Sequence, residues 1–118
     1  MNDAHYPWLI LVPRRAGLRE LCELDTDDAA QLQLESNTVS QLLLEVFAAE
    51  KLNVAALGNL VPQLHVHHIA RFSDDVAWPR PIWGVTDALP YDEALLEDYR
   101  GRIRGYLDRQ ASLIVNWH

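Results

Sequence analysis

The sequence predicts an α+β fold, in which an antiparallel sheet carries one long helix on a face and a second helix lies near the C-terminus. An apolar run at residues 8–12 and an alternating run at residues 63–72 are typical of strands. Apolar residues recur at spacings of three and four within residues 26–51 and 92–109, as in amphipathic helices. With 118 residues, 49% of them hydrophobic, the chain suits a single domain over residues 1–118.

Three segments are predicted to form the sheet. Both faces of Trp8 to Val12 are apolar and the run stops at Pro13, which indicates a covered strand. Asn53 to Leu57 is predicted as the second strand, and the turn at residues 58–59 leads to its partner, Gln63 to Phe72.

The long helix is predicted from Thr26 to Lys51. Asp25 and the acidic residues after it supply cap oxygens and first-turn negative charge. The second helix is predicted from Asp92 to Arg109, although two glycines weaken it. The apolar stripe of the long helix consists of Leu32, Val39, Leu43, Val46 and Phe47.

A Pro-rich, Trp-rich segment at residues 78–84 follows the last predicted strand. Two of its prolines lack the N–H that a central strand needs, so we expect an extended segment laid over the surface. Trp78 and Trp83 favour packing or a dimer interface over a base-stacking shelf.

Composition excludes several functional classes. A formal charge of −7 and a pI near 5.0 argue against binding long DNA or RNA, whereas a small phosphorylated ligand needs only a few local donors. Cys22 is the single cysteine, which points to a reducing compartment. The apolar run at residues 8–12 is too short to cross a bilayer and residues 1–3 do not resemble a signal peptide, so we expect a cytoplasmic protein.

The segment from Gln63 to Arg71 holds three of the five histidines. On a strand, Gln63, His65 and His67 share one face and lie about 6–7 Å apart, so all three reach one phosphate. A neutral imidazole is a competent nucleophile toward phosphorus and a fair leaving group afterwards. The pattern therefore predicts phosphoryl chemistry with His65, the middle residue, attacking.

This segment resembles the signature of the histidine triad superfamily, and the resemblance extends over nearly the whole chain. It implies a homodimeric hydrolase or transferase acting on nucleoside phosphate derivatives, such as phosphoramidates and dinucleoside polyphosphates, without a cofactor. His65 would form a nucleotidyl-histidine intermediate, and His67 would contact the phosphate and the leaving group. Further substrate contacts implied by the resemblance are Gly58, Asn59 and Asn53 near the phosphate and Asn2 at the ribose.

The chain departs from the family pattern at four places. Gln63 occupies the first triad position, and Leu60 replaces a Ser or Thr whose hydroxyl could assist the leaving group. Ala70 replaces a proline. The family's first N-terminal hairpin has no counterpart between Met1 and Trp8, so we expect either a pocket that is open on that side or further residues upstream of Met1.

Two other functions stay open at the sequence level. A binding protein could keep the nucleotide pocket without turnover, because of Gln63 and Leu60. Less favoured is a metal site on His65 and His67, which would need more ligands than the nearby sequence offers. His68 falls on the core-facing row and is predicted to be a buried histidine with satisfied hydrogen bonds. The Arg14-Arg15 pair is predicted as a solvated turn.

Overall fold

The computed structural model describes residues 1–110. Its sheet has three antiparallel strands in the order β1-β3-β2: β1 is Trp8–Leu11, β2 is Lys51–Ala55 and β3 is Val66–Arg71. Helix α1 is Thr26–Phe47, helix α2 is Glu93–Asp108, and a short 3-10 turn lies at Leu21–Glu23. The predicted α+β architecture, with its antiparallel sheet and two helices, is confirmed.

The two faces of the sheet are covered by different parts of the chain. On the helix face, Ala70 of β3 packs with Leu42 and Leu43 of α1 and with the apolar side of α2. On the opposite face, which we call the site face, Trp8 and Ile69 pack against residues of the segment 72–85. The central strand β3 is buried along its whole length, because both of its faces are covered.

Helix α1 begins at the predicted Thr26 but ends earlier than predicted, and α2 begins at Glu93, one residue after the predicted Asp92. The Asp25 carboxylate accepts from the Asp28 N–H at 2.8 Å, and Asp92 caps α2 in the same way. Helix α1 stops at Phe47, four residues before Lys51, because Ala48 adopts a left-handed conformation with φ of 55°. The chain then enters β2 at Lys51, so the predicted second strand at residues 53–57 was two residues late.

The predicted third strand began too early. β3 starts at Val66, not at Gln63, and ends one residue before Phe72. Pro62 has no N–H to donate, and the N–H of Leu64 donates to the Leu18 carbonyl at 2.8 Å instead of joining the ladder. Gln63 and His65 therefore lie in an irregular segment that leads into β3.

The segment that covers the site face is built from turns, so the expected extended conformation was wrong. Its first turn is organised by Asp75, which accepts from the backbone N–H groups of Phe72, Ala77 and Trp78. From this turn the chain places Ala77 and Ile82 against Trp8 and Ile69. The segment does lie over a surface, as expected, and this surface is the site face of the sheet.

Candidate active site

His65 and His67 come together on the site face, at the N-terminal end of β3. His67 lies within the strand, opposite Ile10 of β1 and Ala55 of β2. His65 precedes the strand by one residue and is partly exposed. The two ring centroids are 5.0 Å apart, with the ring planes at 72°. The structure thus forms the predicted pair, although only one member lies on the strand.

The backbone fixes the tautomer of His65. Nδ1 of His65 lies 2.7 Å from the backbone oxygen of Gln63, and a carbonyl only accepts hydrogen bonds. Nδ1 therefore carries the hydrogen in the neutral ring, and Nε2 keeps its lone pair. Within residues 1–110, Nε2 of His65 has no hydrogen-bond partner. This is the arrangement that a nucleophilic imidazole needs.

An indole fixes the opposite tautomer in His67. Nε1 of Trp8 donates to Nδ1 of His67 at 3.0 Å, and an indole N–H is only a donor. Nδ1 of His67 therefore has the lone pair, and Nε2 carries the hydrogen. Burial, together with the neighbouring His65 ring, lowers the pKa of His67, so the ring is neutral at neutral pH. A neutral Nε2–H is suited to donate a hydrogen bond to a phosphoryl oxygen.

Two tryptophans complete the surroundings of His67. The sequence favoured packing or a dimer interface for Trp83 over a role in the site, and gave Trp8 only a place on a strand. The rings of Trp8 and Trp83 lie 5.6 Å and 5.3 Å from the His67 ring, centroid to centroid. Trp8 is buried, whereas Trp83 is 38% exposed. Their contact with His67 depends on the pairing of β1 with β3 and on the path of residues 72–85. The apolar character of residues 8–12 alone gave no signal for it.

The side chain of Gln63 is held by a backbone carbonyl. Its side-chain Nε2 donates to the Arg15 carbonyl at 3.2 Å. Gln63 and His65 also line a shallow depression together with two neighbouring loops, and the loop at residues 18–20 is tied to it by the Leu64–Leu18 hydrogen bond. The remaining residues that line this depression are Arg19, Glu20, Ala56, Leu57, Gly58 and Leu64.

The residues that the resemblance adds to the site differ in their surroundings. Gly58, with φ of +75°, lines the depression, and Asn59 follows it in an exposed bend. Asn53 lies on the site face opposite Ile69, and its Oδ1 accepts from Arg71 at 2.7 Å. Oδ1 of Asn2 accepts from the Tyr91 N–H. The Leu60 side chain, at the position of the missing hydroxyl, is 96% exposed.

The structure accounts for the other residues that the sequence singled out. His68 is fully buried on the helix face, with Nε2 2.7 Å from Ser36 Oγ and Nδ1 3.2 Å from the Val66 carbonyl, as predicted for a satisfied core histidine. Arg15 forms a bidentate ion pair with Asp28. Among residues 1–110, no three His, Cys, Asp or Glu side chains cluster so as to hold a metal ion. No helix in this part of the chain is long and apolar enough to span a membrane.

Three solved structures of histidine triad proteins resemble this chain closely. The protein from Bradyrhizobium japonicum is 50% identical with a TM-score of 0.88, covering 90% of this chain and 79% of its own. Those from Sinorhizobium meliloti and Marinobacter aquaeolei VT8 are 47% and 45% identical, with TM-scores of 0.87 and 0.89. They cover 90% and 92% of this chain, and 78% and 80% of their own.

A family model gives the same answer from the sequence. The model of the HIT domain matches residues 1–74, which include β1, α1, β2 and all of β3. No curated protein matches the chain with statistical significance. Because the family model spans more than half of the chain and the solved relatives share up to half of its residues, the protein belongs to the histidine triad (HIT) family.

Proposed function

We propose that the protein is a nucleotide hydrolase or nucleotidyl transferase that acts at the α-phosphorus of a nucleoside phosphate derivative, with His65 as the nucleophile. Proteins of the HIT family are typically nucleotide hydrolases or transferases. The observation that carries the proposal is the 2.7 Å contact between His65 Nδ1 and the Gln63 carbonyl. It leaves the lone pair on Nε2, which is the nitrogen that must attack.

The proposed reaction has two steps. Nε2 of His65 bonds to the α-phosphorus while the bond to the leaving group breaks, and the bonding electron pair leaves with that group. The nucleotide remains on His65 as a nucleotidyl-histidine. Water, or another acceptor, then attacks the phosphorus, loses a proton to solvent and restores the free imidazole. Phosphoramidates and dinucleoside polyphosphates are the proposed substrates.

Neighbouring groups are proposed to bind the phosphoryl oxygens during both steps. The ring of His67 lies 5.0 Å from that of His65, centroid to centroid, and donates through Nε2–H. Gln63 donates through its amide N–H. Gly58, Asn59 and Asn53 are proposed to lie near the phosphate, and Asn2 near the ribose. For Asn53 and Asn2, substrate must compete with the present partners Arg71 and the Tyr91 N–H.

Exposed apolar residues support a homodimer formed through the sheet and the long helix. β2 is an edge strand, and no strand pairs with its outer side in residues 1–110. Val54 on β2 is 51% exposed, and Leu34 and Leu44 on α1 are 46% and 40% exposed. A two-fold contact through this edge would cover apolar surface and pair the free backbone groups. We propose a cytoplasmic location for the dimer.

A second candidate is a nucleotide-binding protein of the same fold without turnover. The exposed Leu60 favours it, because its position offers the leaving group no hydroxyl. In this case the nucleotide would occupy the pocket intact, and His65 would stay unmodified.

Trapping the intermediate separates the two candidates. The protein is incubated with adenosine 5′-phosphoramidate or diadenosine tetraphosphate, quenched, and examined by peptide mass spectrometry. We expect an adenylyl group on His65, and loss of both adduct and turnover in His65→Asn. Because His65 is partly exposed, this variant should keep its thermal midpoint within a few degrees. Substrate that binds without any adduct supports the binding protein, and full activity of His65→Asn refutes the assignment.

A further inference from the structure

We infer that this site favours a leaving group that departs as a phosphate anion over one that departs as an amine, with Trp8 and Arg19 as the residues that impose the preference. The inference rests on the proposed function and narrows its substrate class. Two separate observations lead to it: the hydrogen bond that Trp8 makes to His67, and the presence of Arg19 in the depression that His65 also lines.

The first observation concerns proton supply. An amine must acquire a proton before or as its P–N bond breaks, whereas a phosphate group can leave with its charge shared over several oxygens. His67 is the imidazole next to the nucleophile, but the Trp8 N–H faces its Nδ1 at 3.0 Å. If Nδ1 of His67 were protonated, its N–H would face the Trp8 N–H, and two donors cannot form a hydrogen bond with each other. Neutral His67 can donate a hydrogen bond through Nε2, but it cannot release that proton without becoming an anion.

The second observation concerns charge. Arg19 lines the depression that also contains His65, Gln63 and Gly58, and no carboxylate in residues 1–110 forms an ion pair with it. The hydrogen bond from the Leu64 N–H to the Leu18 carbonyl anchors the loop at the residue before Arg19. A guanidinium is well matched to phosphate oxygens that gain charge as the bond breaks.

Glu20 provides a charge of opposite sign in the same depression. A carboxylate there repels an anionic leaving group and so opposes Arg19. The two adjacent residues therefore offer paired substitutions of opposite expected effect. Replacing either by glutamine removes one charge and retains a polar side chain.

The step itself balances without a co-reactant. The bond from His65 Nε2 to the α-phosphorus forms, and the bond from that phosphorus to its bridging oxygen breaks. The electron pair stays on the bridging oxygen, so the leaving group departs as a nucleoside polyphosphate or inorganic phosphate anion. In the second step, water supplies the oxygen that releases the nucleoside monophosphate from His65.

The experiment measures kcat/KM for diadenosine tetraphosphate and for adenosine 5′-phosphoramidate in the full chain. We expect the native protein to prefer the tetraphosphate. Arg19→Gln should lower the ratio of the two constants by about tenfold or more, and Glu20→Gln should raise it. Arg100→Gln is the matched control, because Arg100 is an exposed arginine on α2, which packs on the helix face, and this variant should leave the ratio unchanged.

Trp8→Phe tests the proton argument separately. It keeps an aromatic ring in the core but removes the N–H that faces His67, so Nδ1 becomes free to take a proton. The phosphoramidate rate should increase relative to the tetraphosphate rate and should rise toward lower pH, a profile that a packing defect alone would not produce. Circular dichroism checks the fold. If this buried variant does not fold, the substitutions at the exposed residues Arg19 and Glu20 still test the preference for a phosphate leaving group.

The possible failures are distinguishable. If the native protein forms the His65 adduct but prefers the phosphoramidate, or if Arg19→Gln leaves the ratio unchanged, this inference is overturned and the proposed function stands. If the native protein turns over neither substrate and forms no adduct, the proposed function fails and the inference fails with it.

Discussion

Two hydrogen bonds decide which nitrogen carries the proton in each imidazole of the site. A backbone carbonyl holds Nδ1 of His65, and an indole N–H holds Nδ1 of His67. The two rings therefore present different Nε2 atoms, one with a lone pair and one with a hydrogen. In the proposed reaction, these neighbours make one ring the nucleophile and the other the hydrogen-bond donor, and no charge on either ring is required.

Gln63 contributes its backbone carbonyl to His65, and its side chain is proposed to bind phosphate, so replacement by another donor side chain should be tolerated. Gln63→His keeps the carbonyl and replaces the amide donor by an imidazole donor. We expect kcat/KM within about threefold of the native value, whereas Gln63→Ala, which lacks any donor, should lose more. Steady-state kinetics on both proposed substrates check this. A loss of activity in Gln63→His as large as in Gln63→Ala would contradict it.

His67 and His68 make the stability of the protein pH-dependent. Burial lowers the pKa of both rings; at His68 the Val66 carbonyl opposes this effect without reversing it. The unfolded chain therefore binds protons first, as the pH falls through about 6.5. The contribution of these two rings to the free energy of unfolding should be complete above that pH. It should decrease as the pH falls further, until the lower pKa values of the folded state are passed.

Urea unfolding midpoints at pH 7.5 and pH 5.5 measure this effect. Burial also lowers the pKa of the Met1 amino group, which acts in the same direction as the histidines, and raises the pKa of Glu35, which acts in the opposite direction. A histidine variant therefore isolates the contribution of one ring. We expect a lower midpoint at pH 5.5, and a smaller decrease in His68→Leu, which removes one of the two buried rings. An equally large decrease in His68→Leu and in the native protein would show that the His68 ring does not resist protonation.

The residue pattern allowed the pair His65 and His67 and the buried state of His68 to be predicted, because alternation along a strand assigns faces. The indole that fixes His67 and the arginine that shares a depression with His65 could not be predicted in the same way. Trp8 and Arg19 reach the site through strand pairing and loop contacts, which join residues distant in the sequence. Neither position is marked by any local periodicity.

Among the elements, the turn after β3 depends on one carboxylate. Asp75 accepts two hydrogen bonds from Arg71 and three from backbone N–H groups, and both side chains are almost fully buried. Burial alone would raise the pKa of Asp75, but these donors outweigh it and the pKa is lowered. The turn starts the segment that carries Trp83 to His67.

Asp75→Asn should destabilise the fold strongly. The amide keeps the size of the side chain but leaves the buried Arg71 without a counter-charge, at a cost of about 3–5 kcal/mol. Asp74→Asn is the matched control: this neighbour is exposed, and its substitution should change the free energy of unfolding by less than about 0.5 kcal/mol. Urea unfolding of both variants provides the comparison. Similar stabilities of the two variants would show that the Arg71 contact contributes little.

The boundaries of helices and strands could be predicted only where neighbouring residues in the sequence determine them. The start of α1 was predictable because Asp25 caps it through a local contact. Its end was not, since Ala48 turns left-handed without the glycine that usually signals such a stop. The start of β3 was missed for a similar reason: the Leu64 N–H is taken by Leu18, which lies 46 residues earlier.

At the scale of the molecule, the sheet has two edges that differ in their surroundings. β1 and β2 flank the buried β3, and each has an outer side without a strand partner in residues 1–110. The β2 edge adjoins the exposed apolar residues Val54 and Leu34, on the face that carries α1. At the other edge, Val12 follows the end of β1 and is equally exposed. Substitutions at these two valines can therefore show which edge of the sheet forms a subunit contact.

The proposed homodimer predicts that only one edge responds to a buried charge. Val54→Asp would place a carboxylate in the subunit contact, where it has no counter-charge, and should convert the dimer to a monomer. Val12→Asp introduces the same change at a valine that is 54% exposed, compared with 51% for Val54, and should leave the dimer intact. Light scattering coupled to gel filtration gives the mass of each variant. A monomeric native protein would refute the dimer, and dissociation by Val12→Asp alone would move the contact to the β1 edge.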